Sequence, residues 1–310
     1  MERAAEGQPA PLIAQPTPGA KGSPADPDAR HLFGASDWDV AIRYHEIRAA
    51  LGQGAALEKA RQVSVDAVMR QARAVMGASS HPSTRVAVPL DELSPDDRPL
   101  DVGVEETLEN AEWDQHVPER PHEIWVEADR PRRVPVILCV DTSLSMTGRK
   151  LALTAVALAV VLLQFPEDPL GIVAFENEAE VIKRPDERLS LRTVLERFLD
   201  VPAQGYTHLE AGLKMSLTMA QSMGPSSRAQ PPSVVLLTDG KYTAGRDPAY
   251  LAPLFRHLLV VKMGPERAPL GLCRELARKG SGALREVWNL RSLPEALFGV
   301  VKDLLRGRSP

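Results

Sequence analysis

Cysteine is scarce in this 310-residue chain, with only Cys139 and Cys273. Two cysteines exclude a disulfide framework and a cysteine-based zinc site, and both are expected to be reduced and buried, as suits a cytoplasmic protein. Aromatic residues make up only 5% of the chain, and Trp38, Trp113, Trp125 and Trp288 have no spacing that would build a ligand cage. Neither sign of charge dominates. A net charge of -4 gives no general electrostatic case for nucleic acid or an anionic membrane. Long apolar runs are missing too. The longest, Leu151 to Phe165, is interrupted by Thr154 and Gln164 and falls short of the ~18–20 residues of a membrane span; it predicts a helix inside a globular core. The opening MERAAEG lacks the basic-then-apolar pattern of an export leader, so none is expected. The phosphate loop G-x-x-x-x-G-K-[ST] is absent, which argues against nucleotide hydrolysis by this chain.

What is present is ordinary for a folded protein: 44% hydrophobic and 25% charged residues, in a chain long enough to bury a sizeable core. Residues 1–30 carry six prolines and few large apolar groups, the composition of a disordered tail. Residues 31–80 predict a helical hairpin. Ser36 and Asp39 form a capping pair ahead of Val40, Tyr44, Ile47 and Leu51, whose spacing is helical. A second helix is expected over Ala55 to Met76, after Gly52 and Gly54. Residues 81–122 are expected to be an acidic linker, because positions 91–114 hold ten Asp or Glu and one Arg; such a run is usually solvated, and it could also dock a basic partner or occupy a neighbouring copy's site.

From residue 123 to 310 the pattern is regular. Apolar strands are expected at Val134 to Val140, Leu170 to Phe175, Ser233 to Thr238 and Leu258 to Lys262, with shorter ones at Glu178 to Lys183 and Ala283 to Val287. Helices are expected between them, and a final one opens at Ser292 with Glu295 completing a capping box. Continuous apolar strands alternating with helices imply an α/β domain: a doubly wound, mostly parallel sheet covered on both faces, with one antiparallel edge strand. Ligands of such sheets sit beyond the carboxyl ends of the strands.

The residues at those ends carry the chemistry. Asp141-Thr-Ser-Leu-Ser-Met146 follows the first strand, Asp239-Gly240 follows another, and Gly205-Tyr-Thr207 precedes a helix. Asp141, Ser143, Ser145, Thr207 and Asp239 are therefore expected along one edge. All are oxygen donors, which suits Mg²⁺ or Mn²⁺ and is poor for zinc. Taken singly, the hydroxyls could be ordinary turn or N-cap residues. Arg149 and Lys150 read by default as surface charge at a helix start, and His208 as a rim residue.

Asp141-x-Ser143-x-Ser145, Thr207 and Asp239-Gly240 together resemble the metal-ion-dependent adhesion site of von Willebrand factor type A domains. The resemblance covers about residues 132–306. It implies direct ligation by Ser143, Ser145 and Thr207, water-mediated roles for Asp141 and Asp239, and a coordination position completed by an acidic residue of a bound protein. Leu144 and His208 depart from the commonest pattern, where a glycine and an acid are frequent. The phrases Asp141 to Met146, Val173 to Phe175 and Leu237 to Gly240 look like the cytoplasmic bacterial branch that works beside MoxR-type AAA+ ATPases. The implied function is a metal-dependent protein-interaction module without catalytic residues. The alternatives are a metal-dependent phosphoester hydrolase, for which no nucleophile–base pair is visible, and a chelatase-like accessory subunit using the same site to dock on an ATPase.

Overall fold

The structure, a computed structural model, describes residues 36–76, 83–95, 97–110, 120–131, 135–166, 168–223 and 232–306. The expected tail over 1–30 lies outside these residues, as does Gly307. In chain order the elements are α1 (Asp37–Ile42), α2 (Tyr44–Leu51), α3 (Ala55–Val75), β1 (Ser83–Pro89), β2 (Arg98–Val102), α4 (Val104–Asn110), β3 (Trp125–Pro131) and β4 (Val136–Asp141). They continue with α5 (Arg149–Gln164), β5 (Leu170–Phe175), β6 (Ala179–Lys183), α6 (Leu191–Asp200), α7 (Leu209–Ser222), β7 (Ser233–Thr238), β8 (Leu258–Met263), α8 (Leu270–Lys279), β9 (Leu284–Val287) and α9 (Leu293–Arg306).

Six strands form the main sheet in the order β6-β5-β4-β7-β8-β9. All neighbours pair in parallel except β6, which folds back on β5 as the antiparallel edge. Every residue of β4, β5, β7 and β8 is buried, as expected of strands with helices on both faces. Alternate residues face opposite layers. Val136, Leu138 and Val140 join one core, with α5, α6 and α9. Ile137 and Cys139 join the other, with α7 and α8. The chain leaves β4 toward β5 and later crosses to β7 on its other side, so the strand order reverses between β4 and β7. A crevice at such a switch point is where open α/β sheets bind ligands.

The N-terminal helices are continuous with this domain. Val40, Tyr44, Ile47, Leu57, Val65 and Val68 belong to the same buried cluster as α5. This explains why α5 is apolar all round: Leu151 to Val161 is buried throughout, with the sheet on one side and α1 and α3 on the other. Polar contacts fix the same junction. Arg48 Nη1 donates to the carbonyls of Leu199, Asp200 and Val201 at 3.4, 2.5 and 3.3 Å, at the end of α6, where a cation also meets the negative end of the helix dipole. Arg61 pairs with Asp200 at 3.4 Å, and Arg192 with Asp66.

Three expectations need correction. The stretch read as an acidic linker contains two strands and a helix: β1 and β2 flank β3 in a separate antiparallel sheet of order β1-β3-β2. Its acidic residues sit largely on exposed positions, and all of β2 is exposed, so net charge concealed the pairing. The first expected helix is two helices, broken at Arg43 (φ -95°, ψ 9°), although the Ser36–Asp39 capping box forms. Ser292 is engaged on the other side of the expected box: its hydroxyl accepts from the N–H groups of Trp288 and Asn289 at 2.8 and 3.1 Å, holding the preceding turn.

His45 in α2 links this packing to pH. Its ring meets Tyr44 edge-on at 5.7 Å, and among the described residues its Nε2 is buried without a hydrogen-bond partner. Burial, with a smaller contribution from Arg48, pushes its pKa down to about 4. The unfolded chain takes up this proton near the ordinary 6.5 and the folded chain only near 4, so His45 removes stability as pH falls between those values. Urea unfolding at pH 7 and pH 4 is expected to show a smaller acid-induced loss in His45→Gln than in the parent chain, by about 2 kcal/mol or less. Equal losses in the two proteins would show that His45 does not carry the effect.

Candidate metal centre

Asp141, Ser143, Ser145 and Asp239 lie at or just beyond the carboxyl ends of β4 and β7, and Thr207 lies on the segment between α6 and α7. Asp141 ends β4 and is fully buried; Asp239 directly follows β7 and is fully buried; Ser143 and Thr207 are 1% and 3% exposed. Ser145 sits in the short helical turn Leu144–Met146 that leads toward α5.

Backbone and side-chain hydrogen bonds tie the three loops together. Leu144 N–H donates to the Gly205 carbonyl at 3.2 Å, joining the β4 loop to the segment before α7. Thr207 N–H donates to the Thr243 hydroxyl at 2.9 Å, and Thr243 N–H donates to the Thr207 carbonyl at 3.0 Å, joining that segment to the β7 loop. The β5–β6 turn supports the middle loop from below. Glu176 accepts from the N–H groups of Gln204 and Gly205 at 3.1 and 2.8 Å, and Asn177 Oδ1 accepts from Tyr206 N–H at 2.8 Å.

The two carboxylates are held differently. Asp141 accepts Ser143 N–H on Oδ1 at 3.0 Å and the Thr238 hydroxyl on Oδ2 at 2.6 Å. Both donors are neutral. Burial dominates and raises its pKa to about 6, against the lowering effect of these bonds. Asp239 is also pushed up by burial, but Lys150, Lys241 N–H and Ser145 outweigh it and leave the carboxyl below its ordinary value. Lys150 Nζ lies 3.0 Å from Asp239 Oδ2, Lys241 Nζ 3.5 Å from the same oxygen, and Lys241 N–H 3.1 Å from Oδ1. Gly240 makes this turn possible. Its φ is +81°, and a Cβ there would stand 2.5 Å from Cys273 Sγ and 2.9 Å from Pro269 Cβ, so both conformation and space demand glycine.

These residues fit a hard divalent cation. The Ser143 and Ser145 oxygens are 3.2 Å apart, and Ser145 is close enough to Asp239 to help lower its pKa. Among the described residues the Thr207 hydroxyl takes part in no hydrogen bond. The carboxylate oxygens of Asp141 and Asp239 are already engaged, whereas the hydroxyls retain lone pairs. This oxygen-only donor set suits a hard divalent cation. Among the described residues no group of three or more His, Cys, Asp or Glu could hold a metal ion.

Sequence reasoning missed Lys150. It is no surface charge: its side chain is 16% exposed, and its ammonium bridges Asp239 and Glu266. The one available signal was its position just after the serine loop. Cys139 and Cys273 are both buried and free, and burial lifts each thiol to about 12. His208 sits at the start of α7 with Nδ1 3.0 Å from the Asn177 carbonyl. Beside it, Glu210 accepts from Lys214 Nζ, the Tyr250 hydroxyl and Arg246 N–H at 2.7, 2.5 and 2.8 Å. These contacts lower its pKa to about 2, Lys214 contributing most, and fix the far end of the β7 loop.

Three solved structures illustrate the likeness to known proteins. BatB of Bacteroides thetaiotaomicron, described as a conserved hypothetical protein, is 18% identical over 56% of this chain and all of its own, with a TM-score of 0.46. A von Willebrand factor type A protein from Catenulispora acidiphila is 18% identical over 58% of this chain and 45% of its own, with a TM-score of 0.47. Proximal thread matrix protein 1 from the mussel byssus, with a zinc-occupied MIDAS motif, is 18% identical over 56% of this chain and 48% of its own, with a TM-score of 0.46. Comparison with curated proteins gave no match. Residues 136–241, the stretch that contains Asp141, Ser143, Ser145, Thr207 and Asp239, match the family model of the von Willebrand factor type A domain.

Proposed function

We propose that the sheet domain is a metal-dependent protein-interaction module, in which Ser143, Ser145 and Thr207 hold Mg²⁺ or Mn²⁺ directly and Asp141 and Asp239 hold it through water. The observation that supports this reading is the linked set of loops: hydrogen bonds join the loops that carry Ser143, Ser145, Thr207 and the two fully buried aspartates, at the switch point of the sheet. A bound divalent cation supplies an electrophilic position for a carboxylate. Neutral hydroxyl ligands leave that position attractive to an acidic residue of a partner protein.

The rim narrows the kind of partner. Leu144, Tyr206 and Tyr242 are 60, 70 and 40% exposed, and each belongs to one of the three linked loops. An acidic residue flanked by apolar side chains suits such a rim, because the apolar contacts exclude water around the central charge. A MoxR-type AAA+ ATPase is the partner class that the resemblance favours, with the chain acting as a cytoplasmic adaptor and no turnover of its own. Among the described residues no helix is long and apolar enough to cross a membrane.

Two experiments test the reading. Thermal unfolding of the full chain is expected to shift upward in MgCl₂ or MnCl₂ and return with EDTA. A metal concentration one hundred times Kd corresponds to about 2.7 kcal/mol of added stability. Ser143→Ala and Asp239→Ala are expected to lose that shift; a parent chain indifferent to both metals would refute the site. Affinity capture from the native host is expected to recover a partner in Mg²⁺ but not in EDTA, and not with Asp141→Ala. Recovery of the same proteins in all three conditions would refute metal-dependent docking.

A further inference from the structure

Lys150 occupies the second position of α5, beside the serine loop. Its ammonium lies 3.0 Å from Asp239 Oδ2 and 2.7 Å from Glu266 Oε1. Its placement is built into the backbone. The stem passes over Gly264, where φ is +88° and a Cβ would stand 2.6 Å from Lys150 Cε. Gly264 is itself held: its N–H donates to the Val287 carbonyl at 2.8 Å, and its carbonyl accepts from the buried Lys262 ammonium at 2.5 Å. Asp239 and Glu266 therefore flank the Lys150 ammonium, and Lys241 Nζ stands 3.5 Å from the same Asp239 oxygen.

We infer that Lys150, steered by Glu266, is an internal counter-ion for Asp239 that weakens the intrinsic hold of this site on a divalent cation. The inference rests on the metal-site reading above and deepens it. With the protein free of metal, Lys150, the nearer of two lysines at 3.0 Å against 3.5 Å for Lys241, neutralises a buried carboxylate that is costly to leave uncompensated. When a divalent cation enters, the same ammonium is a like charge beside it and opposes its binding. Glu266 acts in the reverse sense, because it compensates the ammonium and moderates that opposition. Lys150 and Glu266 are positioning residues, since neither belongs to the proposed ligand set.

The two residues predict effects of opposite sign, which a merely structural role would not produce. Calorimetric titration of the full chain with MnCl₂ and MgCl₂ is expected to give at least tenfold tighter binding in Lys150→Met. Lys150→Arg, which keeps the charge, is expected to stay within about threefold of the parent. Glu266→Gln, at a partly exposed position, is expected to bind several-fold more weakly. Equal or weaker binding in Lys150→Met, or equal or tighter binding in Glu266→Gln, would overturn the counter-ion role. Should Lys150→Met fail to fold, as read by its metal-free thermal transition, the sign of the Glu266→Gln change decides the matter. Absence of any metal binding by the parent chain and by Asp239→Ala alike would refute the site itself, and this inference with it.

Discussion

Two carboxylates buried where an apolar sheet ends set the terms for everything around them. β4 and β7 are buried on both faces along their length, so Asp141 and Asp239 come out of the core without reaching water. An ionised carboxylate in such a place needs donors on its oxygens. The loops supply them: Ser143 N–H and the Thr238 hydroxyl on Asp141, Lys241 N–H and Lys150 on Asp239. The loop conformations follow from that requirement. Gly240 must adopt a positive φ with Cys273 close behind it, and the β4 loop must turn back at once to deliver the N–H of a residue two positions on.

The donors also differentiate the two acids. Burial, with the neighbouring Asp239 carboxylate adding to it, raises Asp141 to about 6 against neutral donors, whereas Lys150, Lys241 N–H and Ser145 bring Asp239 below its ordinary value. Two residues of one type thus hold different affinities for positive charge. The hydrogen-bond donors on Asp141 are Ser143 N–H and the Thr238 hydroxyl, both neutral, and Asp239 already has a cation in Lys150. A divalent ion entering the pocket would relieve the first and compete with an incumbent at the second. The lysine is therefore as much a part of the site's electrostatics as the hydroxyls of Ser143, Ser145 and Thr207.

The main sheet was legible in the sequence because strands buried on both faces must be continuously apolar, and Val136 to Val140, Leu170 to Phe175, Ser233 to Thr238 and Leu258 to Met263 largely are. Hydroxyls and acids immediately beyond such runs stand out for the same reason, which made Asp141, Ser143, Ser145 and Asp239 visible, whereas Thr207 showed only as a residue just ahead of a helix. The small sheet was hidden because one of its edge strands is exposed: β2 reads Arg-Pro-Leu-Asp-Val with every residue exposed, and charge density there says nothing of its pairing to β3. The Lys150–Glu266 pair was hidden for a different reason. Its contact depends on α5 and the β8 loop being brought together by the sheet, and no local pattern encodes that meeting.

The N-terminal helices bear on the site through α5. This helix begins at Gly148 and Arg149 beside the serine loop and carries Lys150 in its first turn. Its direction is set by contacts on opposite sides, the sheet on one and α1 and α3 on the other. A helix packed on one face only could pivot on the sheet, and a small rotation at its start would carry an ammonium on a long flexible stem away from Asp239. Packing on both sides removes that freedom. Val65, Val68 and their neighbours in α3 thus help aim a charge at the pocket without touching it, and their burial couples the helical region energetically to the geometry of the candidate metal centre.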